Sequence, residues 1–260
     1  MTTNRFTRLL PQFKVAFGEK LIVPVTRKRA KLPGALKSAR DMEKAIAALA
    51  VQCRIMRSIR ARVGKLDLRN YDSGFSALAE IITGQQLSSA SADAIWTRVN
   101  SAIRPFDAQM LGAWPDAELA KLGLSRGKIK TLKALSSEVS AGLDLDALTN
   151  EDEDNIIERL TAIHGIGPWT ADIYLLFVLR RSDAFPAGDL ALQIAAQHHF
   201  KLKTRPTAAE LRKLADRWRP WRGVAARLLW ADYATVKAAK KNSAAAKRPV
   251  SGTKNVTAKR

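Results

Sequence analysis

Between Leu160 and Asp189 the chain concentrates the residue types that could do chemistry: Gly165 and Gly167 around Ile166, then Pro168, Trp169 and, after a Pro-Ala-Gly loop, the carboxylate of Asp189. Glycines at this spacing can take φ > 0, which lets backbone N–H groups approach a ligand closely. Pro168 suits a first helical position, where its missing donor costs nothing. The chemistry this predicts is a neutral seat for one backbone phosphate, although a bare Gly-x-Gly also serves as an ordinary αα-turn. Asp189 can stabilise a developing cation or orient a water, and it can equally cap a helix beginning at Leu190.

The elements that must position these groups read as helices. An apolar helical pattern runs into His164–Gly167, breaks, and restarts at Pro168 to end near Arg180 and Arg181, giving helix, tight hairpin, helix. A long amphipathic helix is predicted from Asp41 to about Arg62. Another begins at Phe75 and meets a polar interruption, Thr83-Gly84-Gln85-Gln86-Leu87-Ser88, before the pattern resumes at Ser91. Such an interruption is either an exposed contact loop or a plain helix connector. Gly123 to Lys128 forms a turn before the helix Ile129–Val139, whose N-terminus, with Lys128 and Lys130, could attract phosphate. Thr149 to Asp152 opens the next helix with capping-box spacing. Further helices are predicted over Leu190–Phe200, Thr207–Trp218 and Trp221–Ala239, and no β-alternation of useful length appears. The fold class is all-α.

Of the formal charge of +20, +9 lies in residues 1–40 and +7 in 240–260, leaving +4 between. Basic ends of this kind either draw the protein to a polyanion or are simply solvated. Residues 1–41 read as a basic, poorly ordered extension, within which no period is sustained, and Met42 could serve as an alternative start. Residues 240–260 read as a basic disordered tail. The single cysteine, Cys53, excludes an internal disulfide framework and any four-cysteine metal or cluster site. His164, His198 and His199 lack partners at ligand spacing, so no metal site is expected. No apolar run is long enough for a membrane span or a secretory core, and a cytoplasmic setting, nucleoid-associated in a bacterium, is the expectation.

Taken together, Leu160, the Gly165-Ile166-Gly167-Pro168-Trp169-Thr170-Ala171 run and Asp189 resemble the helix-hairpin-helix (HhH-GPD) DNA glycosylase superfamily, closest to its alkylation-repair branch, the 3-methyladenine DNA glycosylase II proteins. Ile81–Ser88, Leu124–Lys128 and Trp218–Arg222 leading to Trp230 agree with that resemblance, which spans roughly 42–236. It implies two helical subdomains, 73–181 with the hairpin at 164–167 and 42–72 plus 182–239, with the active site in the cleft between them. It places the catalytic carboxylate on Asp189, the base pocket on Trp169, Trp230 and Ile173, the DNA wedge on Gln86 and Leu87, and phosphate contacts on Gly165, Gly167 and Lys128. Ile173 stands where some relatives carry an aromatic, and Tyr174 is the neighbouring candidate to replace it. Trp169 occupies the place of the Schiff-base lysine of bifunctional relatives, so the resemblance implies a monofunctional hydrolase without β-lyase activity. The implied substrate is an alkylated purine of the 3-methyladenine or 7-methylguanine type in duplex DNA, excised to begin base excision repair. No cofactor is implied beyond a monovalent cation that hairpin carbonyls of this family often hold, and a monomer acting on damaged duplex DNA is expected. The alternatives are a glycosylase for oxidised or deaminated bases and a non-catalytic helix-hairpin-helix DNA-binding module. The β-rich N-terminal domain of some relatives has no counterpart in 1–41, which would make this a compact form.

Overall fold

Two apolar helices form the centre of the computed structural model, which describes residues 34–66, 71 and 74–246, with side chains described as far as residue 235. They are α3 (Gly74–Gly84) and α9 (Pro168–Phe177), named by their place in the chain. In α9 every residue from Thr170 to Phe177 is buried, and α3 buries Ala77, Leu78, Ala79, Ile81 and Ile82. Helices apolar on nearly all sides must be covered by others. Around them pack α4 (Ser89–Ala102), α7 (Arg126–Ser140) and α8 (Glu153–Thr161), with the short α5 (Ala108–Ala113) and α6 (Asp116–Lys121) on α7. A second group comprises α1 (Ala39–Gln52), α2 (Arg54–Val63), α10 (Leu190–His199), α11 (Ala208–Ala215) and α12 (Arg222–Ala246). The protein is all-α: among the described residues there is no strand, only an isolated bridge between Ala35 and Arg181. No helix among them is long and apolar enough to cross a membrane.

Several boundaries differ from the sequence reading. The single helix expected over Asp41–Arg62 is two, because Cys53 is extended at φ −139°. The first of them starts at Ala39, capped by Ser38, and Leu36 is buried with its N–H on the Arg180 carbonyl at 2.9 Å. The described part of the 1–41 extension, from residue 34, is therefore tied to the fold, while 1–33 lie outside the described residues. At the other end α12 carries helix past 239 to Ala246, and 247–260 lie outside the described residues. Helix α8 is capped by Asp152 alone, which accepts from Asn155 N–H, and Thr149 and Asn150 belong to a preceding 3₁₀ turn, Ala147–Asn150.

Contacts distant in sequence fix the helices that carry the site. Gly223 lets α12 come against the 182–184 segment, where a Cβ would meet Leu176 at 2.6 Å and the Ser182 carbonyl at 2.8 Å. Asp183, buried, accepts from the Arg222 N–H at 3.1 Å and guanidinium at 2.9 Å. Asp232, buried on α12, receives Arg62 of α2 and His199 of α10, at 2.8 and 2.7 Å. His199 therefore does have a carboxylate partner, one that lies 33 residues away. Burial pushes its imidazole below the usual histidine range despite Asp232.

Candidate active site

Asp189 is presented by a loop that is itself core. Ala184, Phe185 and Ala187 are buried, and Phe185 packs edge-on against the buried Trp218 at 6.0 Å. The Asp189 N–H donates to the Pro186 carbonyl at 2.9 Å, closing the turn into α10. Its carboxylate then takes three donors: Leu192 N–H to Oδ1 at 3.0 Å, Trp230 Nε1–H to Oδ1 at 2.9 Å, and Trp169 Nε1–H to Oδ2 at 3.1 Å. Helix capping and presentation to a cavity thus coexist in one side chain.

That cavity, of about 600 Å³, is lined by Trp169, Ile173, Phe177, Asp189, Arg227 and Trp230, and Leu87 also borders it. Trp230 stacks on Phe177 with centroids 5.7 Å apart and planes 25° apart. Behind Phe177 the Arg227 guanidinium lies 4.3 Å from the ring centroid and donates to the Leu176 carbonyl at 2.9 Å. Residues far apart in sequence, on α9, α10, α12 and the loop after α3, meet here. Phe177 and Arg227 were absent from the sequence reading. Phe177 had a signal available, since it lies eight residues from Trp169 and four from Ile173, on one face of α9. Arg227 had none, because only folding brings α12 onto α9. Tyr174 does not replace the missing aromatic at Ile173: it is fully buried and donates to the Leu145 carbonyl at 3.3 Å.

The hairpin lies outside the lining of this cavity. Gly165 sits at its crest with φ 82°, and a Cβ there would meet Thr131 Oγ1 at 1.9 Å, so both conformation and space demand glycine. Gly167 has φ −97° and open space, and acts as the N-cap of α9 with Pro168 as first helical residue. Of the two glycines expected to use φ > 0, only Gly165 does. Neither the Gly165 nor the Gly167 N–H finds an acceptor among the described residues, which leaves both available to an anion. Lys128, expected at a phosphate, places its Nζ on the Thr83 carbonyl at 2.6 Å, and burial lowers its pKa from the ordinary lysine value. Gln86 and Leu87 are exposed in the turn after α3, Gln86 with φ 57°, a conformation a non-glycine residue adopts at a cost of roughly 1 kcal/mol.

A monovalent cation at the hairpin would use backbone carbonyls, of which Ile163 O receives the Ile166 N–H and Gly165 O receives the Gln85 amide. A carbonyl has two lone pairs, so these bonds are compatible with a cation. Among the described residues no group of three His, Cys, Asp or Glu is placed to hold a metal ion.

Residues 79–220, which contain the turn at Gln86 and Leu87, the hairpin and Asp189, match the model of the HhH-GPD superfamily of base excision DNA repair proteins. The chain is 32% identical over 180 residues to DNA-3-methyladenine glycosylase 1 of Schizosaccharomyces pombe, covering 61% of this chain and 74% of that one. Among solved structures it is similar to the S. pombe 3-methyladenine DNA glycosylase Mag1 in complex with abasic DNA, with TM-score 0.66 and 27% identity over 72% of this chain and 95% of that one. A DNA-3-methyladenine glycosidase from Bacillus halodurans gives TM-score 0.64 and 29% identity, covering 78% and 93%. A helical fold, a hairpin at the crest of α8 and α9, and a carboxylate at the mouth of α10 thus agree with a family match over more than half of the sequence: the chain belongs to the HhH-GPD superfamily of base excision DNA repair proteins.

Proposed function

We propose that this protein is a monofunctional DNA glycosylase that hydrolyses the N-glycosidic bond of alkylated purines in duplex DNA. The observation that carries this reading is the Asp189 carboxylate, aimed by two indole N–H groups at the wall of an aromatic cavity. The resemblance of the chain to proteins named 3-methyladenine glycosylases, one of them solved on abasic DNA, supports the substrate class.

The chemistry follows from the arrangement. A base inside the duplex is out of reach, so the nucleotide must be extruded, at a cost of a few kcal/mol that is least for damaged pairs. Leu87 and Gln86 fill the gap left in the stack. The hairpin seats a backbone phosphate on the Gly165 and Gly167 N–H groups, and a cation held by the hairpin carbonyls would add positive charge beside it. Lys128 contributes from the same side, holding Thr83 with one of its three donors. In the cavity, Trp169 and Trp230 offer π faces, which attract a ring made cationic by alkylation, and Phe177 backs Trp230. A carboxylate has about four lone-pair sites. With three donors already on it, the charge of Asp189 is fixed in direction and cannot rotate away from the sugar.

As the C1′–N bond breaks, its electron pair leaves with the base, neutralising the alkylated ring. Positive charge grows on the sugar, and Asp189 stabilises it without having to reorganise. Water adds to C1′ and releases its proton through Asp189 or to solvent. No lysine among the described residues lines the cavity, and Trp169 stands where an amine nucleophile would be needed, which supports hydrolysis without β-elimination. The cleft has as its jaws residues 73–181 on one side and 42–72 with 182–239 on the other. The protein acts as a monomer in the cytoplasm, associated with the nucleoid if its source is a bacterium. Incubation with methylated duplex DNA tests the reading: free 3-methyladenine is the expected product, and its absence with DNA binding intact would overturn it, leaving a glycosylase for other lesions or a binding module.

A further inference from the structure

Gln85 stands next to the wedge residues but points the other way. It is half-buried, and its Nε2 donates to the Gly165 carbonyl at 3.3 Å and to Thr170 Oγ1 at 2.9 Å. A carbonyl oxygen can only accept, so the amide nitrogen must face the hairpin. Thr170 is 2% exposed in the first turn of α9, one residue after Trp169. One side chain from the turn after α3 therefore holds both the crest of the hairpin and the start of the helix behind it.

Two contacts from α7 complete a closed circuit. Lys128 Nζ reaches the Thr83 carbonyl at 2.6 Å, just before the wedge turn, and Thr131 packs under Gly165. The turn is thus held at its start by α7 and at Gln85 by the hairpin. Gln86, immediately after, has φ 57°, and Gln86 and Leu87 turn out to solvent. A strained residue persists only where its surroundings impose it, and Gln85 is the neighbour whose side chain is pinned.

We propose that Gln85 is a positioning residue that couples the phosphate-gripping hairpin to the wedge, so that gripping the backbone sets Leu87 in place for insertion. The proposal rests on the glycosylase reading for its purpose, but its test contains no base to excise. Wild type, Leu87→Ala, Gln85→Leu and the double variant are titrated with a duplex carrying a tetrahydrofuran abasic analogue flanked by 2-aminopurine, whose fluorescence reports insertion into the stack, and with the same duplex undamaged. In the wild-type background Leu87→Ala is expected to weaken binding to the abasic duplex about tenfold; with Gln85→Leu the same change should cost less than about twofold. Gln85→Leu itself should lose the 2-aminopurine signal while keeping affinity for undamaged duplex within about twofold. Gln85→Glu, the same size but without N–H donors, should behave like Gln85→Leu, and Thr170→Val should reproduce part of the loss from the acceptor side if either Gln85 variant fails to fold. Equal cost of Leu87→Ala in both backgrounds overturns the coupling, and so does no cost of Leu87→Ala in the wild type. Failure of the wild type to release methylated bases would sink the glycosylase reading and leave this cycle still readable.

Discussion

Trp230 Nε1 lies 2.9 Å from Asp189 Oδ1, while the ring of the same tryptophan stacks on Phe177. One residue therefore lines the cavity with its face and holds the carboxylate with its edge. Trp230→Phe separates the two roles, because it preserves an aromatic face and removes the donor. A hydrogen bond to a charged group is worth about 1.5–3 kcal/mol, so the single-turnover excision rate should fall roughly ten- to a hundredfold. Affinity for abasic duplex should change little. An unchanged rate would show that the indole N–H is not needed to aim the carboxylate.

Asp189 has two duties that different substitutions should divide. Asn can keep the cap on Leu192 N–H through its side-chain oxygen, whereas Ala cannot. Both variants should lose excision, with duplex binding retained. Asp189→Ala should lose about 1 kcal/mol more folding stability than Asp189→Asn, read by urea denaturation. An active Asp189→Asn would mean that the carboxylate is misassigned.

The two hairpin glycines should respond differently to alanine. At Gly165 the new methyl would meet Thr131 Oγ1 at 1.9 Å, with φ at 82°, so a loss of about 2 kcal/mol or more of stability is expected. At Gly167 the space is open and φ is −97°, and the stability change should stay within about 0.5 kcal/mol. Thermal melts of the two variants check this, and similar shifts would contradict the geometry.

Asp172, on α9 behind the hairpin, supplies a pH dependence. Burial pushes its carboxyl up to about 6 from 3.8, against the pull of Arg212 at 3.3 Å and of Arg222, while Glu153 adds to the rise. The folded state thus binds this proton more tightly than the unfolded chain does. The contribution of Asp172 is fully present below the unfolded value and is lost as pH rises through the folded one. Asp172→Asn escapes that loss, and Arg212 remains half-exposed and solvated. Relative to wild type the variant should gain up to on the order of 3 kcal/mol between about pH 4 and pH 7. Urea midpoints at the two pH values measure it; a constant difference would place the proton elsewhere.

Borohydride should trap no covalent complex with DNA, because by the family resemblance Trp169 fills the position of the lysine of bifunctional relatives, and its N–H is committed to Asp189. A trapped complex would overturn the monofunctional reading. Trp169→Phe, which keeps an aromatic ring and removes the donor to Asp189 Oδ2, is expected to slow excision.

The sequence by itself determined what depends on near neighbours in the chain. Helical periodicity gave α3 and α9, Pro168 after the glycine pair marked the hairpin, and the Pro-Ala-Gly loop marked Asp189 as the mouth of α10. Each is a local signal, carried by backbone preference and spacing within a few residues. Only the tertiary structure decided what those residues face. It joined Trp169 and Trp230, 61 residues apart, on one carboxylate. It brought Arg227 behind Phe177, turned Tyr174 into the core, drew Lys128 onto Thr83 and set the Gln85 amide on Gly165. The reason is physical: which face of a buried helix meets which other helix is settled by packing across the whole chain, and a side chain's period along its own helix does not name its partner.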